Sequence, residues 1–238
     1  MRTTTQILAA IGAADGTGRS LPDLLCVDCA RSLDLAGAGI TLMNDDGSQA
    51  VVGTSGPLAS WLEELQFDLG EGPSLDAART NRTVDHDDLD SAVRARWSAF
   101  SSSALAAGIR AVTALPLQVG GVRLGSLCLY RSTPGRLDPD RTTAARAYGA
   151  AAVVVLLRLQ EQVWPRGTLP PELGEPVAYR AVVHQATGFL SVTASVAIAD
   201  ALLLMRAHAF ATEQSLVHVA REVLAGRVHI HPEENEDD

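Results

Sequence analysis

Along the first two thirds of the chain, apolar residues change period repeatedly, from three-and-four spacing to alternation and back. Residues 20–35, "SLPDLLCVDCARSLDL", place Leu24, Leu25, Val27 and Cys29 behind a capping Ser20 and an early Pro22, which predicts a helix. "GAGITLM" at 37–43 predicts a strand, "NDDGS" a polar turn, and "QAVVGTS" the returning arm of a hairpin. A helix at "PLASWLEELQF" then leads through the loop "DLGEGPS" to a short helix, "LDAARTN". The acidic "VDHDDLDS" reads as a solvated loop, and "VRARWSAFSSSALAAG" as helical. "IRAVTALPLQV" and "VRLGSLCLYR", joined by a Gly-Gly pair, predict a second hairpin. A long helix over 138–163 closes the unit. Helices interspersed with hairpin-linked strands predict an α+β domain with a mainly antiparallel sheet over residues 1–163.

Residues 164–177, "WPRGTLPPELGEPV", hold four of the eleven prolines and read as a linker. From 178 to 228 proline is absent, and the pattern predicts an all-α unit of three helices, the second starting near Ser195 and the third at Thr212. On a helical wheel, Val182, Val183, Ala186, Phe189, Leu190 and Thr193 gather on the core side. Arg180, His184, Thr187, Gly188 and Ser191 gather on the other. Glycine inside a helix costs about 1 kcal/mol against alanine. Gly188 is therefore either a tolerated surface glycine, a place where a neighbouring helix comes close, or part of a strip kept low for a ligand or partner.

Composition narrows the classes. Hydrophobic content of 47% with 20% charged residues describes an ordinary globular chain. A net charge of −9 argues against a nucleic-acid binder that relies on bulk positive field. Five of the acids fall in the last six residues, so 229–238 reads as an acidic tail and the body is only mildly acidic. The most apolar run, "AYGAAAVVVLL", is 11 residues, short of the ~20 that a membrane span needs, and no signal peptide is read at the start. Three cysteines without an export signal point to reduced thiols and a cytoplasmic protein.

The segment "VVHQATGFLSVTASVAIADALLLMRAHAFATEQSLVHVAREV" resembles an ANTAR domain, the three-helix RNA-binding output module of bacterial antitermination regulators. The matching residues are Gln185, Ala186 and Gly188; Ala201, Met205 and Arg206; then Leu216, Val219 and Ala220. The resemblance implies RNA contact by His184, Thr187, Gly188, Ser191 and Arg206, with Ala201, Leu216 and Ala220 holding the helices together. Thr187 stands where the family usually has lysine, and Ala207, Phe210 and Gln214 replace further basic positions. Residues 178–228 carry four arginines against three acids, so phosphate binding would be modest and weakly salt-dependent.

The front unit resembles a GAF domain, a small-molecule-sensing fold, on "AGITLM", "LGEGPSLDA", "RWSAF" and "AVTALPLQVGGVRLGSLCLYR". The loop residues Gly70, Glu71, Gly72 and Ser74 could cradle a ligand with backbone amides; equally, the loop is a turn entering a helix at Pro73. The two resemblances together imply a homodimeric, non-enzymatic regulator. An unknown small-molecule or protein input at the GAF domain would shift the long helix and present paired ANTAR domains to paired RNA hairpins. No cofactor, metal or membrane partner is expected. Two alternatives stay open. The helical unit could bind protein in place of RNA, or the chain could be a thiol redox enzyme using Cys26, Cys29 or Cys128. The spacing "CVDC" suits a redox pair, but it falls in a helix without the strand-turn context that lowers a thiol pKa.

Overall fold

The computed structural model describes residues 2–14, 18–43, 49–91, 96–163 and 171–230, with the backbone alone over 160–163 and 171–180. The turn at 44–48, the first part of the linker and nearly all of the acidic tail lie outside the described residues. The chain divides into two compact units, Met1–Leu173 and Gly174–Asp238.

In the first unit the elements run α1 (Thr4–Ala13), α2 (Leu21–Ser32), β1 (Gly37–Met43), β2 (Gln49–Thr54), α3 (Pro57–Leu69), α4 (Pro73–Thr80), β3 (Val84–His86), α5 (Ser98–Ala106), β4 (Ala111–Val119), β5 (Val122–Arg131) and α6 (Pro139–Val163). All neighbouring strands pair antiparallel, in the order β2-β1-β5-β4-β3. The two predicted hairpins are therefore present, and β1 joins them by pairing with β5. Ser20 caps α2 as expected, its hydroxyl accepting from the Asp23 amide at 3.2 Å. Two elements were not anticipated. Helix α1 begins with a capping box in which Thr3 and Gln6 exchange bonds, and "VDH", read as loop, forms the edge strand β3.

Strand alternation divides the side chains between two cores. Leu127 and Leu129 of β5, with Leu115 and Leu117 of β4, pack against α1, α2 and α6. Cys128 and Tyr130, with Val112 and Ala114, join the core beneath α3, α4 and α5. By length and composition Pro139–Leu159 of α6 could cross a bilayer. Its buried residues Ala145, Tyr148, Ala152, Val155 and Leu156, however, form one stripe within the sheet's core, as in a core helix.

The second unit contains α7 (Pro171–Thr193), α8 (Ile198–Ala211) and α9 (Leu216–Leu224). Helix α7 takes in the last residues of the predicted linker. The start of α9 differs from expectation: Thr212 ends α8, and Ser215 caps α9 by accepting from the His218 amide at 3.2 Å. Thr212 spends its hydroxyl on the His208 carbonyl behind it, at 2.8 Å.

Candidate functional site

The face of α3 that meets the sheet is not wholly apolar. Ala59, Leu62, Glu63, Gln66 and Phe67 are its buried positions, at the spacing of one helical stripe. Glu63 and Gln66 thus enter the core because of where they fall on the helix. A buried carboxylate is tolerated only if donors meet it. Three hydroxyls do: Thr41 of β1 donates to Glu63 Oε2 at 2.7 Å, Tyr130 of β5 to Oε1 at 2.8 Å, and Ser74 of α4 to the carboxylate at 3.1 Å. The Gln66 amide donates to Tyr130 at 2.9 Å, and its oxygen accepts from the Ser74 backbone at 2.8 Å. Space for this cluster comes from glycine. A Cβ on Gly39 would stand 2.6 Å from the Glu63 chain, and one on Gly72 2.4 Å from Gln66. Glu63, Gln66, Thr41 and Tyr130 were not singled out from the sequence. The stripe through Ala59, Leu62, Glu63, Gln66 and Phe67 is the signal that could have found them.

Burial pushes the Tyr130 hydroxyl well above its ordinary pKa, helped by Cys128 and the Glu63 charge, so it remains a donor. The three thiols are fully buried, and burial raises each of them, with Asp28 adding to the effect at Cys29 and Glu63 at Cys128. Protonated, buried thiols are poor nucleophiles. Cys26 and Cys29 pack as core residues of α2, and Cys128 as a core residue of β5.

The expected ligand loop is resolved into caps. Gly70 ends α3 in the left-handed conformation (φ 69°), and Gly72 precedes α4 with φ 144° and Pro73 in the first turn. Glu71 reaches across to α5, where its Oε1 accepts from the Ala99 and Phe100 amides at 3.0 and 3.1 Å. Of the four loop residues, Ser74 alone enters the polar core. Since Trp97 provides no side-chain cap for α5, Glu71→Ala should cost about 1 kcal/mol. Urea unfolding of the variant checks this, and an unchanged midpoint would show that water replaces the carboxylate.

In the second unit the wheel is offset from the real packing. Val183, Ala186, Thr187 and Leu190 are buried, whereas Phe189 is 48% exposed and Thr193 is exposed. Thr187, placed by the wheel on the open strip, is 2% exposed, and its hydroxyl donates to the Val183 carbonyl at 2.7 Å. Returning that hydroxyl to its own helix lets a threonine sit in an apolar interface. Ser191 is half-buried and donates to the Val196 carbonyl at 2.7 Å, fixing the turn between α7 and α8. His184 is exposed, and Gly188 and Arg206 are half-buried. A Cβ on Gly188 would meet nothing within 4 Å, so no close helix contact demands the glycine. Ala201, Met205, Leu216, Val219 and Ala220 are all fully buried, holding the three helices together.

A GAF-domain family model matches residues 23–156, more than half of the chain. The protein belongs to the GAF domain family, and its front unit is a GAF sensor domain. Among solved structures it is similar to the GAF domain of a phosphoenolpyruvate-protein phosphotransferase from Coxiella burnetii, at 12% identity and TM-score 0.51, covering 67% of this chain and 96% of that one. It is also similar to the GAF domain of the Acinetobacter phosphoenolpyruvate-protein phosphotransferase, at 11% identity and TM-score 0.48, covering 68% and 98%. The phycocyanobilin-bound GAF domain of a cyanobacterial phytochrome matches at 14% identity and TM-score 0.43, covering 66% and 96%. At these identities the likeness concerns the fold alone. No curated protein matches the chain.

Proposed function

We propose that this protein is a cytoplasmic, signal-responsive regulator in which the GAF domain receives an input and the three-helix unit binds RNA in transcription antitermination. GAF domains bind small-molecule ligands, and the buried polar cluster between α3, α4 and the sheet is one candidate region for receiving an input. The observation that carries the output half is the fit between pattern and packing. Each segment of the ANTAR resemblance falls on one helix, and its matching residues Ala186, Ala201, Met205, Leu216, Val219 and Ala220 are fully buried. His184 and Gly188 remain accessible on α7 and Arg206 on α8. Few positive charges are present, so shape recognition of a hairpin loop outweighs phosphate neutralisation. A homodimer would place two such units together, and tethering raises avidity ~10²–10⁴-fold when both sites are engaged. No catalytic step is part of this reading.

A second reading has its own support. Phe189, Val192, Leu203 and Phe210 are 48–79% exposed, a set that suits protein contact better than RNA contact.

Gly188 separates the two. Gly188→Ala has room for its methyl and should stabilise the helix by about 0.5–1 kcal/mol. On the RNA reading the same variant, like Arg206→Ala, should weaken binding to a paired-hairpin RNA relative to a single hairpin. Titration of the purified dimer against both RNAs checks this. A folded dimer with no preference for the pair, or with binding unaffected by both substitutions, would defeat the antitermination assignment.

A further inference from the structure

The face of the sheet covered by α1, α2 and α6, across from the polar core, holds a cleft of about 550 Å³ between the start of the chain, the end of α2 and the first half of α6. That is the size of cavities that hold small molecules. Leu33 and Ala144 supply apolar wall, Arg2, Ser32 and Arg141 supply hydrogen-bond donors, and Tyr148 lines the cleft with its own proton committed to Asp28. At its edge lies the buried carboxylate of Asp28, which accepts from Arg2 at 2.6 Å, Tyr148 at 2.8 Å and Arg31 at 2.9 Å. Burial alone would raise Asp28, but Tyr148, Arg31 and Arg2 outweigh it and hold the carboxyl below its ordinary pKa. Its charge is thus already met from within the protein.

The guanidinium groups are less fully used. Arg2 makes its hydrogen bonds among the described residues through a single terminal nitrogen. Arg141 has no side-chain hydrogen bond among the described residues. Its carboxylate neighbours Asp138 and Asp34 stand 3.5 and 3.7 Å away, at or beyond the limit of hydrogen bonding. Two guanidinium groups with donors to spare and the Ser32 hydroxyl therefore line one cleft with an apolar wall. We propose that this cleft is a binding site for a small organic carboxylate, seated with its charge on Arg141 and Arg2 and its apolar body against Leu33 and Ala144. Asp140 at the lining, with Asp138 and Asp34 beside Arg141, limits the charge that can be accommodated, which favours a single negative charge over a phosphate dianion. The occupant would clasp the chain start, α2 and α6, on the face of the sheet opposite the polar core.

The test is calorimetric titration of the full chain at low salt with benzoate, its neutral isostere benzamide, its cationic isostere benzamidine, and phenyl phosphate. Benzoate should bind saturably at one site, with the two isosteres giving no saturable heat and phenyl phosphate binding more weakly. Arg141→Gln should weaken benzoate roughly tenfold, since a hydrogen bond to a charged group is worth about that much. Ser32→Ala, an exposed position, should weaken it several-fold and carries the test if the arginine variant is unstable. The assignment is overturned if benzoate does not saturate, binds no better than benzamide, binds more weakly than phenyl phosphate, or is indifferent to whichever of these substitutions leaves the melting temperature unchanged.

Discussion

Gly125→Ala should destabilise the GAF domain by more than about 4 kcal/mol, the range reserved for steric and backbone failures at special positions. Gly125 lies in β5 opposite Leu42 of β1, with φ at +149°, a conformation that L side chains rarely adopt. An added Cβ would stand 1.9 Å from the Thr41 carbonyl oxygen and 2.8 Å from the Leu42 Cα. Both neighbours are backbone, so no side-chain rotation relieves the contact. The β1–β5 ladder would have to open at the point where β5 also shifts register against β4, between Leu117 and Gln118. Gly12→Ala provides the contrast, because a Cβ there meets nothing within 4 Å and the residue is helical; it should be neutral or slightly stabilising. Urea unfolding of the two variants side by side measures the difference. Equal midpoints would mean that β5 can re-pair without cost.

Glu63→Ala should cost about 3–5 kcal/mol, and the loss should exceed that of Tyr130→Phe by about 2 kcal/mol. Removing the carboxylate leaves the hydroxyls of Thr41, Ser74 and Tyr130 buried without the acceptor they share, and leaves a void beneath α3. Removing the Tyr130 hydroxyl takes away one donor to the carboxylate and one acceptor of the Gln66 amide, which keeps Ser74 Oγ at 3.2 Å, and leaves Thr41 and Ser74 on the carboxylate. The double variant should therefore be less destabilised than the sum of the two singles, because the tyrosine hydroxyl has less to lose once Glu63 has gone. Strict additivity in denaturant unfolding would show that the cluster does not act as a unit.

The parts of this molecule legible in its sequence are those governed by local rules. Alternation and the Gly-Gly turn mark β4 and β5, Ser20 and Pro22 mark α2, and the change in period after residue 178 marks the helical unit. Where tertiary contacts decide, single-chain patterning misleads. Glu63 beside Glu64 looks like a solvated helix face, and only the depth of the stripe from Ala59 to Phe67 places it inside. Glu71 appears to be a loop residue between glycines, because the helix that it caps begins at Ser98, far along the chain. A wheel at 100° per residue places Phe189 on the core side of α7 and Thr187 on the open side. The angle of α7 against its neighbours exposes the first, and a hydroxyl satisfied by its own backbone permits burial of the second.

The order of strands in the sheet bears on how the domain is made. β1 and β2 are close in sequence, as are β4 and β5, but Gly39 of β1 pairs with Cys128 of β5 across most of the domain. During synthesis the first hairpin emerges with one side of β1 unpaired and must remain so until β5 leaves the ribosome. Exposed strand edges invite pairing with other chains, and long-range pairing is slow to form. The β1–β5 seam, with Gly125 at its end, is thus where the two hairpins become one sheet and where a nascent chain presents an open strand edge to other chains.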